Sequence, residues 1–442
     1  MPTEQFGIPH IGSPDAYDAI VLGAGISGLV SASILLAQGC SRVLVVDEYP
    51  SVGGNHINRT IGKFTFDIGS FIFQDDSPLL AHFPEILPYY VPITPTWGRL
   101  NPHGLVTRYP ISVKDDLIAA GPLEWFRILG SVLIARTFHR RLENAGDFAR
   151  YWIGARLLRR SGLENYMERF YAVPPEKIDI KFAESRMEWI RNHASLPRIL
   201  KRLLPVRNKS APNRQLARPK EGFACLYQKA VERLERGGTT FLLGTKMLGL
   251  RKQDGIFYLD TEEGRASSAR VVSTVPLDRI RGLIDLRVNW ELSTVTLISL
   301  FFSFSGTRGF AYSILYNFSD KGAWKRLTMH SDFYGKTEGR EYFSVEVNAN
   351  RVADSVESAE RDFRDHVSQN GLFAGDLKLE GSHTLSNAYP IYTEHADERA
   401  ASVIGALRKL GIESIGRQGG FDYQPTARVT TLKAEAALAP GS

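Results

Sequence analysis

Residues 17–54 read YDAIVLGAGISGLVSASILLAQGCSRVLVVDEYPSVGG, and this stretch decides the fold. Its apolar run at 19–22 is typical of a short strand buried in a parallel sheet. Gly23, Gly25 and Gly28 follow in the spacing G-x-G-x-x-G. In such a turn the first glycine permits a tight bend, the second lets the backbone approach a pyrophosphate, and the third lets a helix pack close to the sheet. The pattern therefore indicates a dinucleotide-binding unit.

The residues after the glycines complete this unit. A helix begins near Ile26, and its first amides, which include that of Ser27, would face the phosphates with the positive end of the helix. A second strand at 42–46 leads to Asp47, at the distance from the third glycine where a carboxylate bonds a ribose hydroxyl. Glu48 follows it directly. We predict that these four residues and the three glycines bind the cofactor.

The composition is that of a soluble globular protein. The chain has 442 residues, 43% of them apolar and 23% charged, which predicts two or three domains. The segment 1–16 is polar and predicts no secretory signal, and no apolar run is long enough to predict a membrane span. The two cysteines, Cys40 and Cys225, make no disulfide framework and fit a cytoplasmic protein.

The positive charge is concentrated in one segment. The formal net charge is +6, and residues 186–220 contain ten Lys or Arg against one acidic residue, Glu188. Such a segment is compatible with a solvated basic face, with an anionic small-molecule substrate, or with a loop at an acidic membrane surface. No nucleic-acid motif accompanies the charge, so nucleic acid is not a predicted partner.

Several short motifs follow one another along the chain. They are GAGISG with Asp47 and VGG, GLVTRYPI at 104–111, PPEKIDIKFAESR at 174–186, RPKEGFACL at 218–226, VVSTVPL at 271–277, WKRLTM at 324–329, AYPIY at 388–392 and GRQGGFDY at 416–423. In this order they resemble the UDP-galactopyranose mutase branch of the flavin amine oxidase superfamily, over nearly the whole chain. Protoporphyrinogen oxidase-like relatives resemble it almost as closely.

The resemblance implies an α/β fold with a discontinuous, Rossmann-type FAD-binding domain, a helical insertion and an antiparallel β-sheet substrate domain. The FAD-binding parts are expected at 16–74, 206–285 and 394–438. Residues 75–205 would form a largely helical substrate or lid region, and residues 286–393 the antiparallel sheet. Helical periodicity at 112–204 and alternating strands after residue 293 agree with this division.

The same resemblance implies FAD as the cofactor and adds residues to its site. The added residues are Gly53, Gly54, Asn55, Gly69, Ser70, Gly416, Arg417, Thr426 and Ala427. The C-terminal ones also have a direct interpretation. Pro425 and Thr426 open a helix after a glycine turn, and the exposed amides at such a helix start suit the flavin edge or the pyrophosphate.

Substrate residues carried over from the mutases are those that hold a nucleoside diphosphate. Arg417 and Tyr423 match the segment GR-x-G-x-x-x-Y, and Arg326 matches the arginine of an aromatic-x-Arg strand. Tyr389 matches a substrate-side tyrosine, and together these four form the predicted catalytic set. Arginine forks bind phosphate oxygens in pairs, and tyrosine hydroxyls complete the shell. Three further residues are predicted to contact substrate: Arg186, Arg108 and Tyr109.

One departure separates the chain from the mutases. Where they carry G-P-H-I-F-H beside the flavin, this chain has GSFIFQ at 69–74, so Phe71 and Gln74 replace both histidines. The first hypothesis is a mutase-like enzyme of polysaccharide or glycoconjugate synthesis, which isomerises the ring of a nucleoside-diphosphate sugar through N5 of reduced flavin. The second is an FAD-dependent oxidoreductase that transfers a hydride from a small organic substrate to the flavin.

Two other classes receive less support from the sequence. A non-catalytic flavin-fold protein that acts in a complex does not need the intact glycine turn. Metal catalysis is not predicted, because the ten histidines form no H-x-x-x-H pair and the cysteines form no C-x-x-C. No side-chain nucleophile arrangement is recognisable either, which suits chemistry carried by a flavin.

Overall fold

A computed structural model describes residues 15–69, 71–110, 121–138, 141–186, 214–286 and 291–439. Within these ranges the strands are β1 Asp15–Tyr17, β2 Ala19–Leu22, β3 Val43–Asp47, β4 Asn58–Ile61, β5 Phe64–Asp67, β6 Phe73–Gln74, β7 Val91–Pro92, β8 Trp97–Leu100, β9 Val106–Arg108, β10 Gln215–Ala217, β11 Thr239–Leu243, β12 Met247–Gln253, β13 Ile256–Thr261, β14 Gly264–Ser268, β15 Val271–Ser273, β16 Ser293–Arg308, β17 Ile314–Asn317, β18 Trp324–Met329, β19 Glu341–Asn348, β20 Phe373–Ile391 and β21 Ile412–Ser414.

The α-helices alternate with these strands. They are α1 Ile26–Ala37, α2 Leu79–His82, α3 Pro122–Phe138, α4 Ala145–Ser161, α5 Leu163–Tyr171, α6 Ile180–Arg186, α7 Phe223–Arg236, α8 Leu277–Leu283, α9 Ser331–Tyr334, α10 Val356–Gln369, α11 Ala396–Leu410, α12 Gly416–Gly419 and α13 Ala427–Ala437. Short 3-10 helices lie at Pro84–Tyr89, Pro175–Lys177 and Ala349–Val352. Within the described ranges, no helix combines the length and the apolar character needed to cross a bilayer.

A five-stranded parallel sheet forms the centre of the nucleotide-binding part. Its order is β11-β3-β2-β15-β21, so it takes strands from the start, the middle and the end of the chain. The residues of β2 are fully buried, as expected for a strand covered by helices on both faces. The predicted α/β class with a discontinuous Rossmann-type core is confirmed. The domain boundaries given above stay a prediction.

The second large sheet corrects the prediction of a purely antiparallel substrate domain. Its order is β20-β16-β19-β18-β17-β8-β9, and β17 pairs with β8 in parallel. Strands β8 and β9 come from 97–108, inside the region predicted to be largely helical. Their short apolar segments carry no periodicity strong enough to reveal a partner in a distant part of the chain, so this mixed pairing could not be read locally.

Two long elements inside the sheet region predicted at 286–393 were not located by the sequence. Helix α10 and the 19-residue strand β20 both lie between residues 349 and 393. Most of β20 beyond its last four residues is only partly buried, so it lacks the clean alternation of a half-buried strand. It is held by an antiparallel ladder with β16, and α10 packs on that pair through Phe363. The extent of strand β20 is therefore determined by its long-range pairing and not by its local hydrophobic periodicity.

Candidate functional site

The first glycine turn leaves the backbone at the start of α1 without side chains at three positions. Gly23 has a φ of +102°, and a Cβ there would lie 2.3 Å from the hydroxyl oxygen of Thr274, so the position requires glycine. A Cβ on Gly28 would lie 1.9 Å from the carbonyl oxygen of Gly23. Gly25 is the N-cap residue of α1. Gly23 and Gly28 therefore have the steric roles that their spacing predicts, and the approach of a pyrophosphate to Gly25 stays a prediction.

A second backbone segment crosses this turn. Gly25 and Gly53 form a parallel β-bridge, and a Cβ on Gly54 would lie 2.9 Å from the Cα of Gly25. Glycines thus leave the amide end of α1 free of side chains, on a helix of 12 residues whose positive end favours an anion. A pyrophosphate fits this surface, so the residues present fit FAD.

The predicted acidic residues lie beside this surface. The carboxylate of Asp47 accepts hydrogen bonds from the amides of Ala24 at 2.6 Å and Tyr49 at 2.8 Å, which fixes the glycine turn to β3. Burial raises the pKa of this carboxyl, against the effect of those two bonds. Glu48 pairs with Arg279 and accepts from the amide of Met247 at 3.2 Å. Contact of Asp47 with a ribose stays a prediction.

The C-terminal turn meets the same end of α1. Gly416 has a φ of +84°, and a Cβ on it would lie 2.5 Å from the hydroxyl oxygen of Ser27. Thr426 is the N-cap residue of α13, and its hydroxyl accepts from the amide of Val429 at 3.3 Å. Ala427 is the first residue of that helix and is buried. The predicted flavin residues from both ends of the chain therefore converge.

A cavity of about 500 Å³ adjoins these turns. Helix α5, the mixed sheet and the C-terminal turn supply its walls. Its lining residues are Asn55, Ile68, Gly69, Tyr109, Leu163, Tyr166, Met167, Phe170, Tyr171, Leu297, Tyr316, Lys325, Arg326, Glu346, Leu385, Ala388, Tyr389, Arg417, Tyr423 and Pro425. The cavity thus brings together all four residues of the predicted catalytic set.

Arg417 lies on the cavity without a carboxylate partner in the described part of the chain. Its guanidinium lies 5.9 Å from the ring centre of Tyr389 and 5.5 Å from that of Tyr423. No acidic residue within the described ranges forms an ion pair with it, and its buried Nε has no hydrogen-bond partner there. Burial lowers the pKa of this guanidinium. A buried charge of this kind requires an anionic or hydrogen-bonding ligand.

Two neighbouring cations on β18 share one carboxylate. Glu346 on β19 bonds to Lys325 at 3.0 Å and forms a closer pair with Arg326. Burial opposes the charge of Glu346, but Arg326 and Lys325 hold the pKa of its carboxyl below the usual range. A β-bulge between Trp324 and Arg326 shifts the register of β18 against β19. The bulge allows consecutive residues to reach the same cavity, which ordinary strand alternation would prevent.

Tyrosines and phenylalanines cover the rest of the wall. The ring of Phe170 stacks on Tyr389 at 5.3 Å, and the Lys325 ammonium lies 4.9 Å from the ring of Phe170. The Tyr389 hydroxyl donates to the carbonyl oxygen of Phe170 at 2.6 Å. Burial raises the pKa of both Tyr389 and Tyr423, so both remain neutral phenols, and the one proton of Tyr389 is the one donated to Phe170.

The structure places only some of the predicted substrate residues at the cavity. Tyr109 lines the cavity and stacks on Tyr316 at 4.3 Å. Arg108 is exposed on β9 and does not line the cavity, because strand alternation turns it away from its neighbour. Arg186 ends α6, but its side chain lies outside the described part of the chain, as do Ser70 and most of the basic segment 186–220.

Lys325 and Glu346 are site residues that motif reasoning missed. The sequence carries a signal for both, because two acidic residues interrupt the otherwise strand-like text EYFSVEVN at 341–348. A carboxylate in a strand that is buried on both faces needs a paired cation. Lys325 also stands directly before the predicted Arg326.

A buried ion pair anchors the loop between β5 and the cavity. Arg218 pairs with Asp67 and donates to the carbonyl oxygens of Thr65 at 2.9 Å and Pro219 at 2.7 Å. His330 lies 3.4 Å from the other oxygen of Asp67. Gly69, which follows shortly after Asp67, lines the cavity. This contact connects the motifs RPKEGF and FDIGS, which the sequence shows only as separate pieces.

Comparison with known proteins agrees with this geometry. The model of the NAD(P)-binding Rossmann-like domain family matches residues 21–85. Prolycopene isomerase 2 from an Oncidium hybrid cultivar is 47% identical over 68 residues, 15% of this chain and 11% of the isomerase. The UDP-galactopyranose mutase of Mycoplasma pneumoniae is 34% identical over 88 residues, 19% of this chain and 21% of the mutase.

Solved structures match almost the entire chain. A reduced UDP-galactopyranose mutase superposes with a TM-score of 0.74 and 17% identity over 96% of this chain and 94% of the mutase. The chain has the fold of that mutase. An Exiguobacterium sp. 255-15 protein assigned as a protoporphyrinogen oxidase reaches the same TM-score with 16% identity, over 97% of this chain and 98% of its own.

These findings confirm the predicted resemblance and the α/β fold, and they agree with FAD as the cofactor of a flavoenzyme fold. The proteins matched include isomerases, a mutase and oxidases. The matches by sequence span only 11% to 28% of the curated relatives' own length. Because one fold hosts many reactions, the reaction and the substrate do not follow from the likeness.

Gly25→Ala is expected to fold and to lose FAD. Its Cβ would lie 3.5 Å from the Cα of Gly54, an ordinary contact, but would project where the pyrophosphate has to approach. We expect the affinity for FAD to fall at least about tenfold, as the cost of one misplaced methyl group. Flavin absorbance after gel filtration measures it. Gly405→Ala, whose Cβ would meet nothing within 4 Å, is the control. Full flavin loading of Gly25→Ala would contradict the assignment.

Proposed function

We propose that the chain is an FAD-dependent enzyme that isomerises the sugar ring of a nucleoside-diphosphate sugar, in polysaccharide or glycoconjugate synthesis. The observation that carries this proposal is the Arg417 guanidinium, which faces the cavity between Tyr389 and Tyr423 without a carboxylate partner in the described chain. A diphosphate supplies the missing negative charge in a form that an arginine fork binds with two hydrogen bonds.

The charge balance of the lining supports an anionic substrate. Three cationic side chains, Lys325, Arg326 and Arg417, face a single carboxylate, that of Glu346. The buried Nε of Arg326, like that of Arg417, has no hydrogen-bond partner in the described structure. Charges in a cavity of low polarity act over longer distances than charges in water. The electrostatic stabilisation of a bound anion is therefore larger here than at the protein surface.

Different residues of the cavity lining would bind the substrate and stabilise the leaving group. Arg417 and Arg326 would hold the diphosphate and stabilise the charge that it gains when its bond to the sugar breaks. The neutral hydroxyl of Tyr423 would orient it, while Tyr389, whose proton goes to Phe170, would accept from Lys325 and fix that ammonium beside the diphosphate. Reduced FAD, when bound, would supply the nucleophilic N5 atom for ring isomerisation. No side-chain nucleophile is required.

The aromatic walls would keep water from the reacting sugar. Tyr166 stacks on Phe318 at 4.4 Å, and Tyr109 stacks on Tyr316 at 4.3 Å, so this side of the cavity is packed before any ligand binds. Exclusion of water strengthens the electrostatic interactions with the diphosphate and protects a reactive intermediate from hydrolysis.

The test is a titration of the purified holoprotein with UDP and UDP-sugars, before and after reduction of the flavin with dithionite. The proposal predicts a change in the flavin spectrum on addition of UDP, and conversion of the UDP-sugar in the reduced state alone. Phosphate at the same concentration is the control for a simple anion effect. Absence of UDP binding in both redox states would overturn the proposal.

The oxidoreductase hypothesis is the other outcome of this experiment. Its supporting observation is Phe71, which stands where the mutases have a histidine, and which is buried against Phe333 at 5.2 Å. If the chain lacks UDP binding and its oxidised flavin is bleached anaerobically by a neutral organic substrate, hydride transfer is the function.

A further inference from the structure

The charges in the cavity lining do not cancel. In the described part of the chain its basic residues are Lys325, Arg326 and Arg417, and its one acidic residue is Glu346. The Glu346 carboxylate lies 3.0 Å from the Lys325 ammonium and pairs more closely with Arg326, so one carboxylate offsets one of three positive charges. Two positive charges therefore remain in the described lining without a counter-ion.

Two histidines and an ion pair near the lining do not change this balance. Asp67 and Arg218 form an ion pair with no net charge, and neither residue lines the cavity. Burial lowers the pKa of His56 to about 4, and it also lowers the pKa of His330 below its usual value. Both imidazoles are therefore neutral in mildly alkaline solution, and the excess of positive charge belongs to the lining itself.

Lys325 is fixed on the wall of the cavity. Its side chain is 6% exposed, and its ammonium donates to the Tyr389 hydroxyl at 3.2 Å and lies 4.8 Å from the centre of that ring. Burial lowers the pKa of the ammonium, and the charge of Glu346 opposes this shift. Lys325 therefore depends on Glu346 to stay charged, because an unpaired ammonium at a buried position loses its proton more readily.

We propose that Lys325 is a specificity-determining residue, which supplies the second uncompensated charge and so matches the cavity to a ligand with at least two negative charges. This inference rests on the proposed function and states the charge that its substrate must have. Each phosphate that links a nucleoside to a sugar carries one ionised oxygen, so a nucleoside diphosphate sugar has twice the charge of a nucleoside monophosphate sugar at this link. The cavity would favour the first class, since the interaction energy grows with the product of the charges.

The affinities of the FAD-loaded protein for UDP and UDP-glucose at a pH of about 8 test this inference. The terminal phosphate of UDP is then fully ionised, so UDP carries about three negative charges and UDP-glucose about two. Lys325→Met should weaken UDP binding about thirtyfold and UDP-glucose binding about tenfold, because the loss of one positive charge affects the more highly charged ligand more strongly.

The double variant Lys325→Met/Glu346→Gln restores the charge balance without restoring the ammonium. Its lining again has two more positive than negative charges, and the new amide keeps an acceptor oxygen for Arg326. We expect both affinities to return to within about threefold of wild type. A merely structural role of Lys325, or a direct hydrogen bond from it to the ligand, would leave both affinities low in the double variant.

Lys378→Met is the matched control and should bind both ligands like wild type. Lys378 also lies 3.0 Å from a carboxylate, that of Glu380, in the same sheet but outside the cavity. Flavin content and thermal unfolding show whether the variants remain folded. Unchanged affinities in Lys325→Met, equal losses for the two ligands, or a double variant that recovers neither would each overturn this inference and leave the proposed function intact. A wild type that binds neither ligand would overturn the proposed function as well.

Discussion

Arg417→Ala is expected to lower the turnover of the nucleotide sugar by about a hundredfold while FAD remains bound. The variant removes a donor that faces the cavity with no ion-pair partner inside the described protein. In the proposed function the interactions of Arg417 would strengthen as the diphosphate gains charge in the transition state, so we expect the loss to fall mainly on kcat. Steady-state turnover, UDP affinity and flavin content measure the three parts of this expectation.

Two further variants sharpen the result. Arg417→Lys keeps the charge but not the fork, and should recover about tenfold of the loss. Arg428→Ala is the matched control, because Arg428 lies in the same C-terminal part and donates to the carbonyl oxygen of Asp76 at 2.8 Å on the surface. An Arg417→Ala enzyme with unchanged UDP affinity and unchanged turnover would contradict the proposed function.

Arg218→Met should lower the free energy of unfolding by about 3–5 kcal/mol, the usual cost of a buried ion left without its partner. Both side chains of the Arg218–Asp67 pair are at most 2% exposed. The variant also removes one hydrogen-bond donor from each of the carbonyl oxygens of Thr65 and Pro219. Urea unfolding of wild type and variant measures the difference.

Arg214→Met is the control for this experiment. Arg214 is 64% exposed and lies 3.9 Å from Asp75, so its loss should change stability by less than about 1 kcal/mol. The double variant Asp67→Asn/Arg218→Met should recover part of the stability, because the uncompensated charge is gone. An Arg218→Met protein as stable as Arg214→Met would show that Asp67 does not depend on this partner.

Both experiments concern contacts between residues that are far apart in the sequence. Arg417 and Arg326 were predictable as phosphate ligands from their motifs, and the structure places both on the cavity. Glu346, which holds Arg326 and Lys325, was not among the predicted residues. The acidic residue inside a strand-like segment indicates a buried charge, but its pairing with both cations depends on the β-bulge in β18, which leaves no mark in the local hydrophobic pattern.

The sequence by itself determined the dinucleotide unit. The apolar run of β2, the spacing of Gly23, Gly25 and Gly28, and the position of Asp47 are local features whose steric requirements admit few alternatives. The α/β class follows, because parallel strands joined by helices require this layered arrangement.

Only the tertiary structure decided which distant segments meet. Long-range packing joins β17 to β8, β20 to β16, and Asp67 to Arg218. Hydrophobic periodicity indicates which residues are buried. Which residues they pack against depends on the tertiary structure.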